Sequence, residues 1–276
     1  MTWDARLNLR YQSQGDRTLA HFEHSGPLRI LQSLYPEGTG VCHNVLIHPP
    51  GGLVGGDSLE LNVRVAPHAH GLITTPGATR FYASEGEAAA QRTRLHLEPG
   101  ARLEWLPLES LCYSGCIAHN QLRMELAPGA ELLGWDVCAL GLPQAGQPFE
   151  RGQLLQELEL PGVWLERGLI AAHDERLMNS PLGLAGQRCL GTLFFASGSA
   201  LPTQRCEQGL ALARQAIDID PLSAWAGATQ PHPQVMLVRV LAPMVEPAMA
   251  LLRRIWSLWR TYFWQLPACA PRVWAM

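Results

Sequence analysis

His48-Pro49-Pro50-Gly51-Gly52-Leu53-Val54-Gly55-Gly56-Asp57 follows the apolar run Val45 to Ile47 and precedes the alternating run Leu59-Glu60-Leu61-Asn62-Val63-Arg64-Val65. A short apolar run on one side and strict period-two alternation on the other predict two strands joined by a glycine-rich turn. The glycines supply positive φ and close backbone approach, and the two prolines hold the start of the loop extended. The loop therefore presents backbone N–H groups and one carboxylate, Asp57. A phosphate-binding loop is excluded on chemistry, because it needs a lysine followed by Ser or Thr and opens a helix. The chain has no lysine at all; its 21 basic residues are all arginine.

Working outward, four segments share one pattern: Val65-Ala66-Pro67-His68-Ala69, Leu97-Glu98-Pro99-Gly100-Ala101, Leu126-Ala127-Pro128-Gly129-Ala130 and Glu159-Leu160-Pro161-Gly162-Val163. The prolines are 32, 29 and 33 residues apart, and each turn is flanked by strand-like runs such as Ala101-Arg102-Leu103-Glu104-Trp105. The spacing predicts a mainly β fold built as a solenoid-like stack of similar units or as a sandwich of ordinary hairpins. After Ala200 the period lengthens. Leu210, Ala213 and Ile217 predict a helix over 203–217 with Thr203 as its cap, and Ala248, Met249, Leu252, Ile255, Trp256, Trp259, Tyr262 and Phe263 predict another over 247–265. The aromatic stripe of the second helix either packs on the β core or anchors a protein partner through Trp256, Trp259 and Arg260.

At 276 residues with no Ser/Gly/Pro-rich or charged linker, residues 1–276 are expected to form a single domain, β-rich over 1–200 with both helices packed on it. Charged residues are only 16% of the chain, which implies a surface with exposed apolar area. A net charge of −3 and scattered arginines give no footprint for nucleic acid. No stretch of 18 uncharged apolar residues and no signal-peptide core is visible, so neither a membrane span nor export is expected, and a cytoplasmic location is. Seven cysteines, an odd number widely spread, read as reduced thiols.

Two histidines, His68 and His70, share a strand face but are too few for a metal site, and Cys112, Cys116 and His119 lack a visible fourth ligand. No nucleophile elbow is present. The acids carry more. Glu104 and Glu166 lie five residues past Pro99 and Pro161, and Asp136 lies eight past Pro128. In a stack these three point to related places among apolar neighbours, where a carboxylate demands a partner or a cation. One alternative pairs Glu104 with Arg102 or Arg80 and Glu166 with Arg167. Another makes Asp57, His48, His70 and Asp136 the site of a metal-dependent hydrolase.

The ordered succession HPPGGLVGGD, TTPGATRFY (Thr74 to Tyr82), LEWLPLE (Leu103 to Glu109), GWDVCALGLP (Gly134 to Pro143) and PRVWAM (Pro271 to Met276) resembles the urease accessory protein family UreD, also called UreH. The resemblance runs from about Phe22 to the C-terminus. It implies a β-rich, non-enzymatic scaffold that binds apo-urease and the partner UreF, through which the GTPase UreG is recruited for nickel insertion. It also implies a water-filled nickel route lined by acids, carried over here to Asp57, Asp136 and Glu166, with Glu104 as a further candidate. No tightly bound cofactor is implied; nickel is cargo in transit.

Overall fold

The computed structural model describes residues 2–275. The strands begin with β1 (Asp4–Gln14), β2 (Arg17–Ser25), β3 (Arg29–Leu34), β4 (Val41–Ile47), β5 (Ser58–Val65), β6 (His70–Thr74) and β7 (Thr79–Phe81). They continue with β8 (Ala89–Leu97), β9 (Arg102–Leu106), β10 (Ser110–Cys112), β11 (Ile117–Leu126), β12 (Glu131–Leu142), β13 (Gln147–Pro148), β14 (Gln153–Leu160) and β15 (Trp164–Ala171). A five-residue helix, α1 (Glu175–Asn179), precedes β16 (Cys189–Ser197). Then come α2 (Thr203–Asp218), β17 (Ala226–His232), β18 (Val235–Ala242) and α3 (Val245–Trp264).

Two sheets result. The outer sheet has the order β15-β14-β11-β8-β5-β1-β2, and the main path of the central sheet is β17-β18-β16-β12-β9-β6-β4-β3. The repeated turns explain this. Pro67-His68, Pro99-Gly100 and Pro128-Gly129 carry β5 to β6, β8 to β9 and β11 to β12, each time from the outer sheet to the central one. Successive rungs then pair in parallel within both sheets, the solenoid-like alternative. Proline at the second position and positive φ at the third define a type II turn, with φ of 61° at His68, 70° at Gly100 and 79° at Gly129. The fourth turn departs from the repeat: Pro161-Gly162 joins β14 to β15 as an antiparallel hairpin inside the outer sheet.

Three layers bury the core. Leu7, Leu9, Leu61, Val63, Leu95, Leu103 and Leu132 fill the space between the sheets, while Leu133, Trp135, Leu193, Phe195, Met236 and Val238 meet α2 and α3 on the other side of the central sheet. The central strands are consequently buried on both faces, β12 from Leu132 to Gly141 without interruption. Both C-terminal helices occur close to their expected bounds. Thr203 is the first helical residue of α2 and Pro202 stands at the cap with no side-chain bond, so the expected Thr203 cap is displaced by one position. Helix α3 begins two residues before Pro247, which the first turn tolerates because an N–H at that position would have no helical partner to lose. No helix among the described residues is long and apolar enough to cross a membrane.

A buried ion cluster clamps α3 to the central sheet. Arg260 and Glu104 are both fully buried, with Arg260 Nε donating to Glu104 Oε1 and Oε2 at 3.0 and 3.1 Å. Trp256 Nε1 donates to Glu104 Oε2 at 2.7 Å, and His70 Nε2 lies 3.2 Å from Glu104 Oε1. The remaining guanidinium nitrogens reach Glu37 and the Pro267 carbonyl, and Glu37 also meets His43 Nε2 at 2.6 Å. Burial pushes the Glu104 carboxyl up, but His70 and Arg260 outweigh it and hold the group below its ordinary range.

Arg260→Met should therefore destabilise the fold by about 3–5 kcal/mol, because it strands a buried carboxylate, whereas the double variant Glu104→Gln/Arg260→Met should cost less than that single change. Urea unfolding of the two variants compares them directly, and a double variant as unstable as Arg260→Met alone contradicts the clamp.

Candidate functional site

The pleat decides which acids meet. In β12, Leu132, Cys138 and Leu140 face the outer sheet, and Leu133, Trp135 and Val137 face the helices. Asp136 has the parity of the first set and lies between the sheets. In β9, Glu104 is registered beside Leu133 and faces the helices. The two acids thus sit on opposite faces of one sheet.

Asp136 is nearly fully buried. Its Oδ2 accepts a hydrogen bond from Asn120 Nδ2 at 2.8 Å, and its Oδ1 accepts one from Gln156 Nε2. Asn120 Oδ1 in turn accepts from Gln91 Nε2 at 3.4 Å. Gln91, Asn120 and Gln156 are register neighbours on β8, β11 and β14, so they form one inward row of amides across the outer sheet. Opposite them, Asp136, Thr192 and Arg239 form a row on the central sheet. Glu166, on β15, accepts from Arg239 Nη1 at 3.0 Å and also from Nη2, a bidentate pair that bridges the sheets. Burial raises the Asp136 carboxyl from its ordinary 3.8 to about 6, with the nearby charge of Glu166 adding to the rise and the Asn120 and Gln156 bonds opposing it.

These rows line a string of cavities. A first cavity of about 270 Å³ lies under the glycine-rich loop and is lined by His48, Gly52, Thr75, Thr79 and Gln91 among others. It shares Thr79, Gln91, Trp105 and Pro107 with a narrow space of about 10 Å³ that reaches Asn120 and Asp136. That waist has room for roughly one water. Asp136 also lines a third cavity of about 650 Å³, together with Gln156, Glu166, Thr192 and Arg239. The third cavity opens between β15, the edge of the outer sheet, and β17, the edge of the central one.

Of the four acids expected to serve a metal, Asp136 and Glu166 come together on this path. Asp57 and Glu104 do not. Asp57 accepts from Trp3 N at 2.7 Å and from Val54 N at 2.9 Å, tying the glycine-rich loop to the N-terminal strand. Glu104 is taken by Arg260, not by Arg102 or Arg80, and Glu166 is taken by Arg239, not by Arg167, which meets Glu157. The stack that was to align Glu104 with Glu166 fails because the fourth turn is a hairpin.

The hydrolase constellation is likewise not assembled. His70 faces the helix side with Glu104, and Asp136 lies between the sheets. Among the described residues no three His, Cys, Asp or Glu side chains converge as a metal site. His119 lies on the outer face of β11, since Ala118 and Leu122 on either side of it face the core, and the cysteines are free thiols.

Trp256, Trp259 and Arg260 require a correction as partner-facing residues. All three are buried, with Trp256 bonded to Glu104 and Trp259 Nε1 donating to Gly209 O at 2.8 Å. The stripe they form found the central sheet and α2 first. Of the exposed apolar side chains, Trp225 lines the wide cavity and Leu182 follows its lining residue Pro181, while Leu165 and Leu169 lie on the outward face of the edge strand β15. The amide row is the part that sequence reading missed. A signal was present, since Gln91 and Asn120 each lie eight residues before a repeat proline.

Comparison with known proteins gives a consistent result. The family model described as UreD urease accessory protein matches residues 4–275. The chain is 64% identical over 276 residues to the urease accessory protein UreD of Polaromonas naphthalenivorans (strain CJ2), covering 100% of both chains. It is 62% identical to that of Variovorax paradoxus (strain S110), again over 100% of both. Against that of Methylibium petroleiphilum (strain ATCC BAA-1232 / LMG 22953 / PM1) the identity is 48%, covering 99% of each. With a match of this extent and identity, the chain belongs to the UreD family of urease accessory proteins.

Proposed function

We propose that this chain is a non-catalytic scaffold of urease maturation that binds urease apoprotein subunits and UreF, which brings the GTPase UreG, and that nickel crosses it between the two sheets. The string of adjoining cavities that narrows at the buried Asp136 and its amide partners is the observation that carries this reading. An ion that passes the waist must shed water, and the Asp136 carboxylate with the amide oxygens of Asn120 and Gln91 supplies hard replacements. Single oxygen donors of this kind hold a divalent ion loosely, which suits transit. Glu166 at the wide end is already neutralised by Arg239, so it steers an ion only by exchanging that partner. The exposed Trp225 and Leu182 at the wide mouth, with Leu165 and Leu169 on the outward face of its edge strand, offer apolar area for a protein that covers this edge, so that nickel moves between proteins without release to the cytoplasm.

Asp136→Ala/Glu166→Ala should leave the complex with UreF and urease intact in a pulldown while lowering urease activation at limiting nickel. Each single change should do less than the double, and added nickel should restore part of the activity. Full activation by the double variant at limiting nickel refutes the route.

Asp136 also ties the route to stability. Its folded value of about 6 exceeds its ordinary 3.8, so from pH 4 to 6 the unfolded chain ionises first and the fold loses stability as pH rises. For a shift of that size the loss is roughly 2–3 kcal/mol. Asp136→Asn lacks this slope. Its stability relative to the parent should increase by about that amount between pH 4 and 7, while nickel delivery falls. Urea midpoints at both pH values decide this, and parallel pH profiles for parent and variant rule it out.

A further inference from the structure

Two glycines frame the mouth between β15 and β17. Gly168 is registered beside Gln156 on β14 and Gly227 beside Arg239 on β18, so the pleat turns both positions toward the space between the sheets. Both line the wide cavity, and apart from their chain neighbours no heavy atom lies within 4 Å of where a Cβ would stand on either. Neither has positive φ, so the backbone itself does not require glycine at these places. What the missing side chains leave is free room on both sides of the Glu166–Arg239 pair.

Two arginines line this cavity, and they differ in direction. Arg167 is turned to the outer face of its sheet, where it meets Glu157 at 3.3 Å. Arg239 faces inward, and among the described residues Glu166 supplies the one carboxylate within 4.0 Å of it. The pair is unequal, for the Arg239 side chain is 49% exposed and the Glu166 side chain 32%. Trp225, itself 40% exposed, stands two residues before Gly227 and lines the same cavity. Exposed tryptophan and arginine side by side have the composition of a binding hot spot, whereas glutamate is depleted from interfaces.

We propose that Arg239 is the anchor for an aspartate or glutamate side chain of the protein that covers this edge, and that its guanidinium leaves Glu166 to take that acid. This rests on the covering protein proposed above. The exchange costs little, because one carboxylate replaces another on the same planar fork and the original pair is already shared with water. The open room over Gly227 gives the incoming acid its way to the guanidinium. Glu166 is then left without its counter-ion inside the wide cavity at the moment the mouth is covered.

The two members of the pair should respond with opposite signs. Before docking, Glu166 holds the guanidinium, and only the released fraction is competent to bind, so Glu166→Gln should tighten docking by about five-fold. Arg239→Gln removes the anchor and should weaken docking by about ten-fold, with Arg239→Lys, which keeps the charge but loses the fork, in between. Gly227→Leu keeps both charges, fills the open room and should also weaken docking. The measurement is titration of the immobilised full chain with UreF and, separately, with urease apoprotein at low and high salt, beside urea midpoints that should barely move. Salt should weaken the parent more than Arg239→Gln. A shift in the same direction for Glu166→Gln and Arg239→Gln marks a merely structural pair and overturns the proposal. Reversed signs make Glu166 the contact and overturn it as well. If the parent binds and all the variants match it, the scaffold reading stands and the anchor does not; a parent that binds neither protein sinks both. Should Arg239→Gln fold poorly, the gain in Glu166→Gln and the loss in Gly227→Leu still decide, since an unaltered affinity in those two variants overturns the proposal.

Discussion

The central sheet is covered on both faces, so every polar side chain it carries must find its partners on the side to which the pleat sends it. Glu104 and Asp136 show the two ways of meeting that demand. On the helix face Glu104 receives a guanidinium, an indole N–H and an imidazole, and its charge is compensated in place. On the inner face Asp136 receives two amide donors and no cation. The first arrangement holds a helix to the sheet. The second leaves a carboxyl raised to about 6, able to gain a proton near neutral pH, and it lies between the narrow waist and the wide cavity.

The strands, turns and both long helices were legible because each is written locally. Alternation over Leu59 to Val65, the Pro-Gly or Pro-His pairs and the i, i+3, i+4 spacing of α3 are short-range patterns, and they reappear in β5, the crossing turns and the helix. Part of the site was legible as well and was passed over. Offsets of five and eight residues from the repeat prolines differ by an odd number, and an odd difference places Glu104 and Asp136 on opposite faces of neighbouring strands. What lay beyond reach was partner choice over long range. Arg260 lies 156 residues from Glu104, and Arg239 lies 73 from Glu166. No spacing rule joins such positions, and nearer arginines were the natural candidates. The aromatic stripe of α3 had two possible hosts, its own sheet or a partner, and amphipathicity is silent on which one covers it.

The glycine-rich loop is a hinge of the architecture more than an anion cradle. It leaves the central sheet at β4 and enters the outer sheet at β5, and Asp57 fixes it by bonding both Val54 N and Trp3 N. Leu53 forms an isolated bridge to Phe81, which draws the loop over the Thr75 to Arg80 segment and roofs the first cavity. Asp57 therefore shapes the path while standing outside it. Loss of its carboxylate would act first on the loop and only through it on the cavity beneath.

The wide end of the path follows from the one turn that breaks the repeat. Three turns cross from the outer sheet to the central one and close the space between them with chain. The fourth stays in the outer sheet, so β15 becomes an edge with no strand continuing across to β17. Beside the 172–188 segment that carries the chain over to β16, the gap is spanned by side chains, chiefly the Glu166–Arg239 pair. A bidentate pair at a half-exposed edge can open at little cost, because water and counterions replace what each partner gives up. A peptide crossing could not do so. The hairpin at Pro161-Gly162 thus converts the last rung of a closed stack into a mouth that side chains can open.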